Sequence, residues 1–424
     1  MTRREKYKNI LLVTLIISFL GVLCMTLILI RNSIPNKIRL IAGEEQSFEF
    51  DFPTKSVVYQ ETKEVGLRGK SDIPQDNLHV SSSMPFTILA NQTGNYTVSC
   101  KLFGFIQLKN MKVDVVEEKQ YLTPSGIPVG IYLETDGILA IGTGSVVDQN
   151  GESKEPAHHI IQSGDYILAV NQEKVSTKQD LIDKINLHGK EEIILDVRRK
   201  EEIIQLSMKA VMTGDEEYKL GIWVRDNTQG IGTLTFVDQE GDFGALGHGI
   251  NDVDTSELMT LKTGKLYNAQ IVDIVKGEKG SPGELSGIIQ YSDDNIIGEV
   301  KSNTKNGIYG TMKDGVIQSN VPMEICYKQD VKLGPATILS PVTGSIEEYE
   351  VEIKEVHLND NEANKGIVLE VTDPKLLELT GGIVQGMSGS PIIQDGKLVG
   401  AVTHVFIQDS TSGFGIFIEN MIES

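Results

Sequence analysis

The chain has 424 residues, more than one ordinary domain contains, so we expect several folded units. Its 39 basic and 59 acidic residues leave a formal net charge of −20, and a surface of that sign repels nucleic acids rather than binding them. The three cysteines lie far apart, without the spacing of a zinc site or of a disulfide framework. We therefore expect no nucleic-acid partner and no metal or other cofactor.

The N-terminus contains an uncharged apolar stretch from Ile10 to Ile30. A stretch of about 20 apolar residues is long enough to cross the hydrocarbon core of a bilayer as a helix. Four basic residues precede it, which by the positive-inside rule predicts a cytoplasmic segment at residues 1–9 and an extracytoplasmic body. A cleaved signal peptide is the alternative, but its apolar core is usually shorter and no A-x-A-like cleavage site follows. The sequence therefore predicts a membrane anchor at residues 10–30.

Residues 37–118 contain short alternating runs such as "SFEFDF" and "YTVSCKLFGF", separated by Pro, Gly and Asn. Such runs predict a small β-rich segment. No pattern in this segment indicates catalysis, so we interpret it as a spacer and a surface for partners.

Residues 121–212 combine short strands with one amphipathic helix that begins near Thr177. The run "GIPVGI" and the later run "GDYILAVN" make this segment resemble a PDZ domain. In such domains a turn presents backbone N–H groups to a terminal carboxylate, and a strand edge beside a helix accepts a peptide strand. The resemblance implies peptide or self-segment binding at Gly126, Gly130 and Ile131. A β-rich domain without a ligand is the alternative.

From residue 220 to the C-terminus, many β runs are separated by Gly, Asn and Asp. This texture predicts an all-β sandwich or barrel pair at residues 220–424. The predicted fold class is therefore mainly β: a transmembrane helix, a β-rich spacer, a PDZ-like domain and a β-barrel-type domain. Two glycine-rich runs, "GALGHGI" and "GMSGSPIIQDGKLVGAVTHVF", carry the candidate chemistry of the last domain.

The run "GMSGSP" is similar to the nucleophile loop of chymotrypsin-like serine proteases. Its glycines let the backbone turn so that the N–H groups of Gly386 and Ser388 both face a developing oxyanion. Ser388 is the candidate nucleophile, and Ser390 is expected to pack or hydrogen-bond locally. An α/β-hydrolase elbow would need glycine at position 390 and a helix where Pro391 stands. An ordinary Gly/Ser turn between strands is the remaining alternative.

A serine hydroxyl needs a base with a pKa near neutrality, which in practice means histidine. His248, in "GALGHGI", has glycine neighbours that allow close approach, and it follows small apolar residues. His404, in "AVTHVF", belongs to the strand after the nucleophile loop, where substrate-pocket residues usually lie. His357 stands in a charged alternating run and is expected to be exposed, and the other four histidines belong to earlier segments. We therefore predict His248 as the base.

The order of the anchor, the β-rich region, the PDZ-like unit, "GALGHGI" and "TGGIVQGMSGSPIIQDGKLVGAVTHVF" resembles the SpoIVB family of sporulation serine peptidases along essentially the whole chain. The resemblance implies a signalling peptidase that is secreted from the forespore into the space between the two membranes around it. It implies that the enzyme processes itself and cleaves a membrane-bound regulator. An intramembrane metalloprotease is thereby released to process a sigma factor precursor.

The resemblance places the acid of a catalytic triad at Asp373, in "VTDPKLLELTGG". The same residues also read as a helix: Asp373 as N-cap, Pro374 in the first turn and Gly381 as the C-terminal stop. Asp252 and Asp254, which follow His248 closely, are the alternative acids.

A different class of function is a PDZ signalling scaffold with an inactive protease-like domain. Intact Ser388, His248 and Gly386 argue against it, because a degenerate site has no need of all three. The predicted function is that of a membrane-anchored, extracytoplasmic serine endopeptidase.

Overall fold

The structure is a computed structural model, and it describes residues 3–48, 54–60, 78–81, 86–103, 105–316, 321–359 and 362–423. The chain divides into two units. The first comprises Met1–Gln120, Glu324–Lys332 and Val356–Glu362, and the second comprises Tyr121–Met323, Leu333–Glu355 and Ala363–Ser424. The chain is mainly β, which confirms the predicted fold class.

The chain begins with an exposed apolar helix, α1 (Arg3–Ser33). It is long and apolar enough to cross a membrane, and none of its most apolar window is buried by protein. An uncovered apolar surface of this length is stable in a bilayer rather than in water. The helix contains the anchor predicted at residues 10–30.

After α1, the part of the first unit up to Gln120 forms the strands β1 (Lys37–Ile41), β2 (Glu45–Phe48), β3 (Thr54–Gln60), β4 (Leu78–Ser81), β5 (Phe86–Ala90), β6 (Gly94–Leu102) and β7 (Ile106–Val116). They form a four-stranded sheet in the order β1-β7-β6-β3 and a three-stranded sheet in the order β2-β5-β4. Alternate residues of β7 are buried, as in Met111, Val113 and Val115, because successive side chains of a strand point to opposite faces. The described residues of the segment predicted to be β-rich, 37–118, therefore form two sheets.

The second unit begins with elements that contain the PDZ-like segment: β8 (Tyr121–Pro124), β9 (Pro128–Thr143), β10 (Val146–Val147), β11 (Ser153–Lys154), β12 (Tyr166–Val170), β13 (Glu173–Lys174), α2 (Lys178–His188), β14 (Glu192–Arg199), β15 (Glu202–Lys209), β16 (Val211–Met212) and β17 (Tyr218–Lys219). Thr177 caps α2, and its hydroxyl accepts a hydrogen bond from the N–H of Asp180. Leu181 and Ile185 on one face of α2 are buried in the core beneath the strands. The helix begins where the sequence predicts it.

Within the described residues, thirteen further strands and two helices follow: β18 (Ile222–Val237), β19 (Asp242–Ala245), β20 (Leu261–Val275), β21 (Glu284–Ile289), β22 (Ile296–Thr304), β23 (Gly307–Met312), β24 (Met323–Glu324), β25 (Gly334–Ser340), β26 (Glu347–Val356), β27 (Ile367–Val371), α3 (Pro374–Thr380), β28 (Pro391–Gln394), β29 (Lys397–Phe406), β30 (Asp409–Phe417) and α4 (Ile418–Ile422). Three short 3₁₀ turns lie at Asp293–Asn295, Lys328–Asp330 and Ala363–Lys365. Strands β25 to β30 close into a barrel in the order β25-β26-β27-β30-β29-β28.

The large sheet of the second unit joins the segment predicted as PDZ-like to the segment that begins at residue 220. Strand β9 pairs with β12 near Ile138, and with both β18 and β20 near Ile131. The two ends of β9 therefore pack in two different hydrophobic cores. The boundary predicted between residues 212 and 220 does not separate two sheets, because β9, which precedes it, pairs with β18 and β20, which follow it.

The predicted peptide-binding turn has a different environment in the structure. Gly126 has φ +81° and donates its N–H to the carbonyl of Leu234. Gly130 and Ile131 lie inside the sheet, with β18 on one side and β20 on the other. An added strand needs a free edge, and Gly130 and Ile131 have a paired strand on each side, while the N–H of Gly126 is already bonded.

Candidate active site

Ser388 lies in the loop between α3 and β28, and strand β18 holds this loop by neutral hydrogen bonds. The hydroxyls of Thr233 and Thr235 donate to the carbonyls of Gly386 and Gly389, each at 2.8 Å. Gly389 has φ +98°, and a Cβ there would lie 2.0 Å from the carbonyl oxygen of Thr233. Only glycine fits this approach. The predicted glycine frame is thus a packing requirement as well as a turn.

Two backbone donors of the nucleophile loop have no acceptor in the part of the chain that the structure describes. These are the N–H groups of Gly386 and Ser388, whereas the N–H groups of Met387, Gly389 and Ser390 donate to carbonyls. Unpaired N–H groups beside a nucleophile are what an oxyanion needs. The pair predicted as the oxyanion hole is therefore free to bind one.

The two serines of the loop differ in access. Ser388 lines a pocket, and its Oγ donates to the carbonyl of Thr403 at 2.8 Å. Ser390 has no exposed surface, and its Oγ has no hydrogen-bond partner among the described residues. Because a substrate cannot reach a fully buried hydroxyl, the geometry favours Ser388 as the nucleophile and a packing position for Ser390.

His248 follows β19 through a tight turn in which Leu246 and Gly247 have φ +70° and +69°. Its Nδ1 lies 2.9 Å from the carbonyl oxygen of Gly249. A carbonyl only accepts, so Nδ1 carries the proton and Nε2 keeps its lone pair. Burial lowers the pKa of His248, and the bond to Gly249 opposes this in part. The imidazole is therefore kept neutral, as a general base requires.

His248 and Ser388 line the same pocket, which has a volume of about 400 Å³. His404 lines it too, and its ring centroid lies 4.9 Å from that of His248. The sequence predicted His404 as a substrate-pocket residue, and this is where it lies. The remaining lining comes from β9, β18 and the two loops: Ile131, Thr228, Gln229, Gly230, Ile231, Leu246, Gly249, Ile250, Asn251, Gln385 and Gly386.

The structure places Asp373 at the start of α3. Its Oδ1 accepts from the N–H of Leu376 at 2.9 Å, and its Oδ2 accepts from the N–H of Glu350 at 3.3 Å. Gly381 ends the helix with φ +74°. Among the described residues Asp373 makes no hydrogen bond to His248. The geometry is that of the helix cap, the alternative reading of this motif, and it differs from the expected triad contact.

Asp252 and Asp254 are bound to Arg225 of β18 rather than to His248. The two carboxylates lie 2.5 and 2.8 Å from the guanidinium. The Asp252 side chain is fully buried, and its other oxygen accepts from the N–H groups of Asp254 and Thr255. These contacts fix the loop that follows His248, and they leave neither carboxylate on the imidazole.

Residues 216–422 match the family described as SpoIVB peptidase S55. This part of the chain belongs to the SpoIVB peptidase family. The family is one of serine peptidases, so the chain is a serine endopeptidase, and the family connects it with sporulation. No curated protein matches the chain.

Two side chains that hold the loop after His248 carry no sequence signal. Arg225 binds the loop after His248 from a neighbouring strand. Asn303 brackets the same loop, since its side chain bonds the N–H and carbonyl of Ile250 and the carbonyl of Met259. An isolated Arg or Asn in a strand belongs to no motif, and only the sheet pairing brings these residues to the loop.

Proposed function

We propose that this peptidase is anchored by α1, acts outside the cytoplasm in sporulation signalling and processes itself. It also cleaves a membrane-bound regulator, so that a sigma factor precursor is processed. One observation supports its catalytic part above all. Ser388 and His248 line one pocket, beside two backbone N–H groups that have no acceptor among the described residues.

In the proposed reaction, Nε2 of His248 takes the hydroxyl proton of Ser388 as Oγ attacks the peptide carbonyl. The N–H groups of Gly386 and Ser388 stabilise the oxyanion of the tetrahedral intermediate. His248 then protonates the leaving amine, and water hydrolyses the acyl-enzyme by the reverse sequence. Substrate binding must turn the Ser388 hydroxyl from the Thr403 carbonyl, its partner at 2.8 Å, towards His248.

The carbonyl of Gly249 takes the orienting role that an aspartate has in a triad. It accepts the Nδ1–H of His248 at 2.9 Å and so fixes the tautomer. A neutral carbonyl stabilises an imidazolium less than a carboxylate does, so the base relies more on its orientation. Asp373 acts by capping α3, the helix from which the chain enters the nucleophile loop.

The proposed location rests on the charged residues that precede the anchor. Basic residues precede the apolar stretch, which favours a cytoplasmic N-terminus and an extracytoplasmic body. Combined with the sporulation family, this orientation supports a location of the catalytic part in the space between the forespore and mother-cell membranes. Self-cleavage behind α1 would release it from the membrane.

The PDZ-like segment is proposed to recognise the regulator or a second copy of the chain. The strand edge available for this is the start of β18, opposite α2, where the N–H of Lys178 donates to the carboxylate of Asp226. Trp223, the only tryptophan of the chain, stands there with 65% of its surface exposed. Exposed tryptophan is typical of binding surfaces.

Replacement of the two serines tests the catalytic proposal. Ser388→Ala should abolish self-processing, peptide cleavage and labelling by an organophosphonate probe, because the oxyanion donors alone supply no nucleophile. Ser390→Ala is the matched control and should keep most activity, because the Oγ of Ser390 has no hydrogen-bond partner among the described residues. Equal loss in both variants would mean that the loop is only structural. Full folding without labelling of the wild type would favour the second candidate, an inactive PDZ scaffold.

A further inference from the structure

Strand β18 has a free edge beside the catalytic pocket. From Ile222 to Thr233 it pairs on one side with β9, and on its other side β19 pairs only with Leu234 and later residues. In the described ranges no strand pairs with that other side before Leu234. An unpaired edge is a template for another extended chain.

The direction of the free backbone groups follows from the nucleophile loop. The N–H of Thr233 donates to the carbonyl of Ser388 at 2.9 Å, so this residue turns its backbone groups away from β9. Backbone groups of residues two apart on a strand point to the same side. Ile231 and Gln229 therefore turn their N–H and carbonyl groups towards the pocket, and both line it together with His248.

We infer that an extended segment of the protein substrate adds to the edge of β18, pairing with Gln229 and Ile231, and so carries the scissile bond to Ser388. This inference rests on the proposed peptidase function. The edge is continuous with the catalytic pocket, and a polypeptide held there must already be extended to reach Ser388. The occupant is thus a substrate strand.

The residue between the two pairing positions leaves room for such a strand. Gly230 is exposed, and a Cβ built on it would meet no atom within 4 Å. The stretch from Thr228 to Ile231 carries no charge. Main-chain pairing to a neutral edge tolerates many sequences. The substrate class is therefore an unfolded or locally extended segment, and a cleavage site within a helix must unwind before it is cut.

The enzyme side of the pairing is tested by removing one N–H group. The full-length chain in detergent is assayed on a quenched-fluorescent hexapeptide that the wild type cleaves, chosen from a library. Gln229→Pro lacks the N–H that faces the pocket, whereas Gln229→Ala keeps it. We expect KM to be about tenfold higher for the proline variant than for the alanine variant, the effect of about one net hydrogen bond, because both variants lose the side chain and only proline loses the N–H. Equal KM values in the two variants would overturn the inference.

A scan of N-methylated peptides tests the substrate side without changing the fold. Methylation of alternate amides should lower kcat/KM about tenfold on the wild type, and methylation of the amides between them should have little effect. The loss at one of the sensitive amides should shrink in Gln229→Pro, because two paired residues exchange two hydrogen bonds that support each other. Methylation removes the bond from the substrate N–H to the carbonyl of Gln229, and proline removes the bond from the N–H of Gln229 to the substrate carbonyl. Losses without alternation, or alternation that Gln229→Pro leaves unaltered, would overturn the inference. The latter would place the substrate on β29 at the opposite wall.

The two proposals fail in different ways. If Ser388→Ala still cleaves the hexapeptide, the catalytic assignment is wrong. If Ser388→Ala is inactive while both variants of Gln229 behave alike, the peptidase assignment holds and the substrate strand lies elsewhere.

Discussion

The two loops that carry Ser388 and His248 are held by different kinds of interaction. Neutral hydrogen bonds from Thr233 and Thr235 hold the serine loop. A buried ion pair between Arg225 and Asp252 holds the loop after the histidine. Both sets of partners come from β18.

Because of this difference, the two loops should respond differently to salt, pH and mutation. Neutral hydrogen bonds between buried groups depend little on salt or pH, so the serine loop should keep its shape under most conditions. A buried ion pair loses much more when one partner is removed, because the other charge stays desolvated. The histidine loop is therefore the weaker point, and Arg225 connects it to the strand that begins opposite α2.

The largest expected effect comes from Arg225→Ala, which leaves the buried carboxylate of Asp252 unpaired. We expect a loss of about 3 kcal/mol in the free energy of unfolding, near the lower end for such pairs, because Arg225 is partly exposed. Chemical denaturation of the full chain in detergent measures it. Arg198→Ala is the control: its partner Asp136 is 44% exposed, so the loss should stay below about 1 kcal/mol. Similar losses would remove the distinction between the loops.

A smaller effect is expected at the helix that leads into the serine loop. Asp373→Ala should cost about 1 kcal/mol in stability, because the N–H of Leu376 loses its acceptor. Asp373→Asn keeps an oxygen for that bond, so stability and peptide cleavage should both stay close to wild type. Thermal melting and kcat/KM are measured on both variants. An asparagine variant with wild-type melting and a loss of about 10⁴ in cleavage would instead make Asp373 the triad acid.

The smallest expected effect is the effect of pH on peptide cleavage, and it arises from His248. Burial lowers the pKa of His248, so the acid limb of kcat/KM should have its midpoint below the ordinary histidine value of about 6.5. The same lowered pKa makes the stability of the fold fall as the pH falls. Above about pH 6.5, His248 is neutral in both the folded and the unfolded chain. Below that pH the unfolded chain binds the proton first, which destabilises the fold.

The pH profile of kcat/KM, with His404→Gln as the control, checks this assignment. The acid limb should persist in that variant, since the titrating base is His248. An acid limb with its midpoint at or above about pH 6.5, or an acid limb that disappears in the His404→Gln variant, would contradict the assignment.

The sequence by itself determined the local features. Uncharged apolar length identified α1, period-two patterns identified the β-rich units, and glycine placement singled out the loops of Ser388 and His248. Asp373 was read both as an acid and as a cap, because the residues that would decide between these roles are distant in sequence. Local patterns report propensity and backbone freedom, which act over a few residues.

Only the tertiary structure decided which groups meet across the sheet. Strand pairing brings Arg225 to Asp252, turns Thr233 towards the serine loop, and places Gly130 between two strands rather than at a free edge. Register between strands depends on the packing of whole faces, and no short motif encodes it. The chemistry of the site was readable from two glycine-rich runs, but its supports come from β18, whose partners are set by the fold.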